Sequence, residues 1–167
     1  MLIALSDTHG VESPRLTPHL REQVQDAEQV VHAGDFTTEK VLEGFESEAA
    51  SFAAVVGNSD TAAVRDRLPE TRTCTWADHR FLLVHGHRHD STALSLLARQ
   101  ENADVAIVGH SHRPAIESLD GLTVVNPGSH ADPRQFDAAY ATFGRAGGGI
   151  RVRLRTPRGQ ALATADV

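Results

Sequence analysis

The chain is short of the residues that cross-link, anchor or stack. It has one cysteine, Cys74, in 167 residues, so an intrachain disulfide is excluded and a reducing compartment, the cytoplasm, is expected. No apolar run approaches the ~20 residues that span a bilayer. No basic segment followed by a long apolar stretch marks a secretory leader. Aromatic residues are only 5% of the chain, which counts against a stacking stripe for single-stranded nucleic acid. Positive charge is also scarce: Lys40 is the only lysine, and the formal net charge is −6. Such a balance argues against a broad nucleic-acid footprint, although Arg88 and Arg113 leave room for local positive charge. The length fits one domain over residues 1–167, with enough chain to bury a core.

Alternating strand and helix signals fill the first half. Leu2 to Leu5, Val30 to Ala33 and Phe52 to Val56 read as strands. Between them, Ser13 to Glu28 and Thr38 to Glu48 carry apolar residues at helical spacing, with Ser13 as N-cap and Pro14 at the first helical position. This βαβαβ order predicts parallel strands. The second half is richer in hairpins. Thr71 to Trp76 and Arg80 to Val84 form one; Asp120-Gly121 and Gly147-Gly148-Gly149 mark the turns of two more. Ser91 to Glu101 reads as a helix and Val105 to Val108 as a strand. The fold class expected is α/β (α+β): two packed mixed β-sheets, a β-sandwich, flanked by α-helices. Residues 157–167 hold few large apolar side chains and read as a frayed tail.

Histidine is abundant, and its placement is ordered. Asp7-Thr8-His9, Gly34-Asp35, Gly57-Asn58, His85-Gly86-His87 and Gly109-His110-Ser111-His112 follow one another, most of them just after an apolar run. In open α/β sheets ligands bind beyond the carboxyl ends of strands. Carboxylate, amide and imidazole donors delivered together to such ends suit divalent transition metals. Metals held there assist phosphoester hydrolysis. Any one of these pieces alone is weak. Asp caps helices and Gly-Asp marks turns; all five in order, each beside a strand, are specific.

The ordered set Asp-x-His, Gly-Asp, Gly-Asn, His and Gly-His-x-His, spanning Leu2 to His112, resembles that of calcineurin-like metallophosphoesterases, in the branch of small bacterial and archaeal phosphodiesterases. Asn126-Pro127-Gly128-Ser129 resembles a loop of the same branch. The resemblance implies a β-sandwich flanked by helices and two divalent ions. Manganese comes first; nickel, iron, cobalt or zinc are alternatives. One ion would be held by Asp7, His9, Asp35 and His112, the other by Asp35, Asn58, His85 and His110, with Asp35 as bridge and a hydroxide between the ions as nucleophile. Asp35, Asn58 and His87 are the candidate catalytic residues. One position departs from the pattern: many members carry a general-acid His directly after Gly-Asn, where this chain has Ser59. The expected activity is therefore phosphodiester hydrolysis on a small or nucleotide substrate. A catalytically weak interaction scaffold, a phosphomonoesterase and a nuclease are the alternatives. No membrane partner is expected, nucleic acid is disfavoured, and a homo-oligomer is compatible.

Overall fold

A computed structural model describes all residues, 1–167. Two mixed sheets pack face to face. The first has six strands in the order β11-β10-β9-β1-β2-β3: β1 (Leu2–Leu5), β2 (Gln29–His32), β3 (Phe52–Ala54), β9 (Tyr140–Ala146), β10 (Gly149–Arg155) and β11 (Ala161–Asp166). The second runs β4-β5-β6-β8-β7: β4 (Thr71–Trp76), β5 (His79–Val84), β6 (Val105–Val108), β7 (Ala115–Leu119) and β8 (Leu122–Asn126). The run β1-β2-β3 is parallel, as is β5-β6-β8; the outer strands add antiparallel hairpins.

Strand alternation explains the layering. Leu2 and Ala4 face the other sheet with Val31, Phe81, Leu83 and Ile107, while Ile3 and Leu5 face helices α1 (Pro18–Asp26) and α2 (Glu39–Glu48) through Leu20, Val24, Leu42 and Phe45. On the far side, Leu82, Val84, Ala106 and Val124 meet Leu94 and Ala98 of α4 (Ser91–Gln100). Both faces of the central strands are thus buried, and their sequences are near-continuous apolar runs rather than alternating ones. No helix is long and apolar enough to cross a membrane.

Three details differ from the expectations. Helix α1 begins at Pro18, not near Ser13: Thr17 is the N-cap, its hydroxyl accepting from Leu20 N–H at 3.2 Å. The earlier Ser-Pro pair is unavailable to the helix because Arg15 has a φ of 56° and Pro14 packs so tightly on Gly44 that a Cβ there would lie 2.5 Å from its ring. A short helix α3 (Ala62–Arg67) also forms, with only Val64 buried, too brief to show a periodic signal. The frayed tail expected over 157–167 is instead β11, paired antiparallel with β10. Its small side chains are mostly exposed. Backbone ladder bonds and the Arg151–Asp166 ion pair, 2.9 Å from Nη2 to Oδ2, hold it, and neither produces an apolar pattern.

His130 is buried after β8; its Nε2–H donates to the Pro14 carbonyl at 2.8 Å, and its ring meets Phe45 edge-on. Burial pushes its pKa down to about 4, against the opposing pull of the Pro14 carbonyl. Below its unfolded value of ~6.5 the unfolded chain therefore takes up a proton that the folded chain refuses. Stability from this group is present above ~6.5 and is lost as pH falls toward about 4. We expect His130→Gln to flatten the decline between neutral pH and pH ~4.5 by about 2 kcal/mol, measured by urea unfolding with chelator present throughout.

Candidate metal centre

The loops that follow β1 and β2 continue the parallel ladder past the strand ends. Asp7 N–H donates to Gly34 O, His9 N–H to Asp35 O and Gly10 N–H to Phe36 O, at 3.0, 3.0 and 3.1 Å. This pairing sets Asp7 and Asp35 side by side, both buried. The loop after β3 supplies Asn58, the loop after β5 supplies His85, and the loop after β6 supplies His110 and His112. Five of these residues adopt left-handed backbone: Asp7, His9, Asp35, His110 and His112 have φ of 54°, 44°, 63°, 69° and 58°. Each costs of order 1 kcal/mol for a residue with a Cβ. Such sharp reversals aim side chains back over the strand ends.

The side chains converge. Asp35 Oδ2 lies 3.4 Å from His9 Nε2 and 3.3 Å from His85 Nε2, between the two imidazoles. His9 Nε2 and His112 Nε2 are 3.2 Å apart with their rings stacked, and His112 Nε2 is 3.5 Å from Asp7 Oδ1. Asn58 Oδ1 sits 3.0 Å from His85 Nε2 and 2.9 Å from His110 Nδ1. Asp7, His9 and His112 form one compact set of donors; Asp7, Asp35 and His85 form a second. His87 stands at the exposed rim, its ring centroid 5.4 Å from that of His85 and 6.1 Å from that of His110.

The donor chemistry fits cations. His85 Nδ1–H donates to the Ala33 carbonyl at 2.7 Å, and His112 Nδ1–H to that of Asp132 at 2.5 Å. With Nδ1 protonated, each neutral ring turns a bare Nε2 lone pair toward carboxylate oxygens. Facing lone pairs repel unless a cation lies among them. A proton on His85 can fill that role, and the titration directions describe that case. Burial opposes the charge of Asp35, but hydrogen bonding and the positive field of His85, with the Ser59 N–H, outweigh it and hold the carboxyl well below its usual range. Burial works against protonation of His85, yet Asp35 and then Asp7 raise its pKa. For Asp7 burial dominates, and its pKa rises.

Neighbouring residues fix this geometry. Asp60 accepts N–H bonds from Gly57 at 2.7 Å, Thr37 at 2.8 Å and Asp35 at 3.2 Å, tying the Gly-Asn loop to the Gly-Asp loop. Ser59 N–H donates to Asp35 Oδ1 at 2.8 Å, and the Ser59 hydroxyl accepts from Asn58 Nδ2 at 3.1 Å. Two supports come from much further along the chain. Asn126 Nδ2 donates to Gly109 O at 2.8 Å, anchoring the loop that carries His110 and His112. Ser129 is fully buried and donates to Asp7 O at 2.7 Å. Their motif was visible, but its link to Asp7 spans more than a hundred residues and has no local signal. The Asp132 carbonyl that orients His112 is backbone and leaves no trace in residue type.

Residues 1–145 match the calcineurin-like phosphoesterase superfamily domain. The chain belongs to that superfamily. It is 34% identical over 142 residues to a probable metallophosphoesterase of Methanothermobacter thermautotrophicus, covering 82% of this chain and 81% of the relative. It is 29% identical over 140 residues to a phosphodiesterase of Methanocaldococcus jannaschii, covering 74% and 80% respectively. The solved structure of Vacuolar Protein Sorting 29 from Cryptosporidium parvum gives a TM-score of 0.80 at 16% identity, covering 99% of this chain and 96% of that one. This last likeness is one of fold.

Glycine at position 57 is a matter of space. A Cβ there would lie 2.1 Å from Asp35 Oδ1 and 2.3 Å from Asp35 N. Gly57→Ala must therefore displace the carboxylate that lies between His9 and His85. Titration with a panel of divalent cations should show roughly a tenfold loss of affinity for whichever ion the parent binds, whereas Gly121→Ala, at an open turn, should bind as the parent does.

Proposed function

We propose that the chain is a dinuclear metal-dependent phosphodiesterase acting on a small or nucleotide phosphodiester. The observation that carries this reading is the position of Asp35 Oδ2, within 3.4 Å of His9 on one side and 3.3 Å of His85 on the other. Asp7, His9, Asp35 and His112 would hold one ion; Asp35, Asn58, His85 and His110 would hold the second. Manganese is the first candidate, with nickel, iron, cobalt or zinc as alternatives. Bound there, divalent ions supply a water acidic enough to be a nucleophile near neutral pH and offset charge on the phosphate oxygens.

The protein's own part is placement. Asp35 and Asp7 supply the negative charge that retains the ions. Asn58, a neutral amide, keeps the second position from accumulating charge that would repel an anionic substrate. His87, at the rim, stands where it can donate to a phosphate oxygen. No imidazole occupies position 59, and a serine hydroxyl is a poor acid at neutral pH. General-acid assistance is typically worth ~10²–10⁴-fold, so poor leaving groups should react slowly. The interaction-scaffold alternative would be favoured by lost ligands; here all seven ligand positions are filled.

Two measurements test this reading. Chelation should abolish hydrolysis of an aryl phosphodiester and Mn²⁺ should restore it; full activity in verified metal-free protein would refute the proposal. With the same aryl leaving group in both substrates, kcat/KM should be roughly tenfold or more higher for the diester than for the monoester. Preference for the monoester would overturn the diesterase assignment and leave the metal centre standing.

A further inference from the structure

A cleft of about 300 Å³ opens directly beside His110. Helix α4 covers the outer face of the second sheet only in part, through Leu94 and Ala98 over β5, β6 and β8. Toward β7 and the metal end, that face is left open. The strand register gives the cleft its wall. Glu117 lies opposite Val124, and Ala115 opposite Asn126, so their side chains share one face. Val108, Leu94, Ala115 and Val124 make an apolar floor.

Of the polar side chains around this floor, His110, Ser111 and Asn126 are held by bonds within the protein, whereas Arg113, Glu117 and His89 are not. The guanidinium of Arg113 and the carboxylate of Glu117 form no hydrogen bond or ion pair, although both line the cleft. His89 lines it too, with a buried Nδ1 that has no hydrogen-bond partner. The cleft on the other side of the centre is different. There Arg65 is committed to the carbonyls of Asp60 and Asn58, and Arg88 is paired with Glu70. An apolar slot edged by a free donor and a free acceptor suits a flat heterocycle carrying both acceptor and N–H atoms on one edge. A second phosphate would meet the Glu117 carboxylate as well as Arg113, and a plain alkyl arm would engage none of Arg113, Glu117 and His89.

We propose that this cleft is a nucleobase subsite: with the substrate's phosphate at the metal centre, the base of a nucleoside ester arm lies on Leu94, Val108 and Val124. Glu117 accepts from the amino or ring N–H groups, and Arg113 donates to a ring carbonyl or nitrogen. The inference rests on the phosphodiesterase reading above and narrows its substrate to a nucleotide diester. Guanosine monophosphate and ribose phosphate share the sugar and the phosphate and differ in the base, so they isolate the cleft. Calorimetry on manganese-loaded protein should give at least tenfold tighter binding of guanosine monophosphate. In Ala115→Phe, which fills the cleft from β7, that ratio should fall to about one. Glu117→Gln, nearly isosteric, should reduce it several-fold and serves if the bulkier variant does not fold. Equal affinity of the parent protein for both compounds overturns the proposal, as does a preference that survives both substitutions. If neither compound binds while the aryl phosphodiester is still hydrolysed, the subsite falls and the phosphoesterase reading stands.

Discussion

Two buried carboxylates, Asp7 and Asp35, face bare imidazole nitrogens at one end of the sandwich, and their negative charge is the constraint on which the remaining arrangement depends. Unpaired, such charge is expensive to bury. His9, His85 and His112 all approach one or other of the two carboxylates within 3.5 Å. His85 can take a proton there, and the same geometry suits cations. The left-handed backbone at five positions, the two carboxylates included, is strain that a rigid frame must overrule. That frame is the cross-loop ladder from Asp7–Gly34 to Gly10–Phe36 together with the Asp60 clamp.

The sandwich makes this frame possible. Parallel strands β1, β2 and β3 in one sheet, and β5 and β6 in the other, bring their carboxyl ends to the same edge of the molecule. Because both faces of these strands are buried, between the sheets and under the helices, the strand ends have little freedom. Close approach then selects glycine: a Cβ at Gly109 would lie 2.0 Å from Ser6 Oγ, and one at Gly57 would lie 2.1 Å from Asp35 Oδ1. Packing, turn geometry and ligand placement are here a single requirement.

Around the centre the two flanks are unequal. On the Asn58 side the arginines are internally satisfied and brace the loop. On the His110 side Arg113, Glu117 and the ring of His89 are left to meet something else. This asymmetry, with Ser59 in place of an acidic imidazole, is what the proposed function draws on for its ester arm and its good leaving group.

Much of this was legible in the chain. Residue type and order grouped Asp7, His9, Asp35, Asn58, His85, His110 and His112, and the fold brings these side chains to one end of the sandwich, because strand ends are marked by apolar runs followed by glycine. The alternation of helix and strand signals likewise yielded two packed sheets with helices outside. What stayed hidden depends on contacts between distant segments. The start of α1 was misplaced because Pro14 packs on Gly44. The edge strand β11 shows no apolar pattern because backbone bonds and an ion pair hold it. The burial of His130, the reach of Ser129 to Asp7 and the three N–H groups gathered by Asp60 also depend on such contacts. Periodicity and motif report what a residue can do; only packing decides which groups meet, at what distance and with how little water.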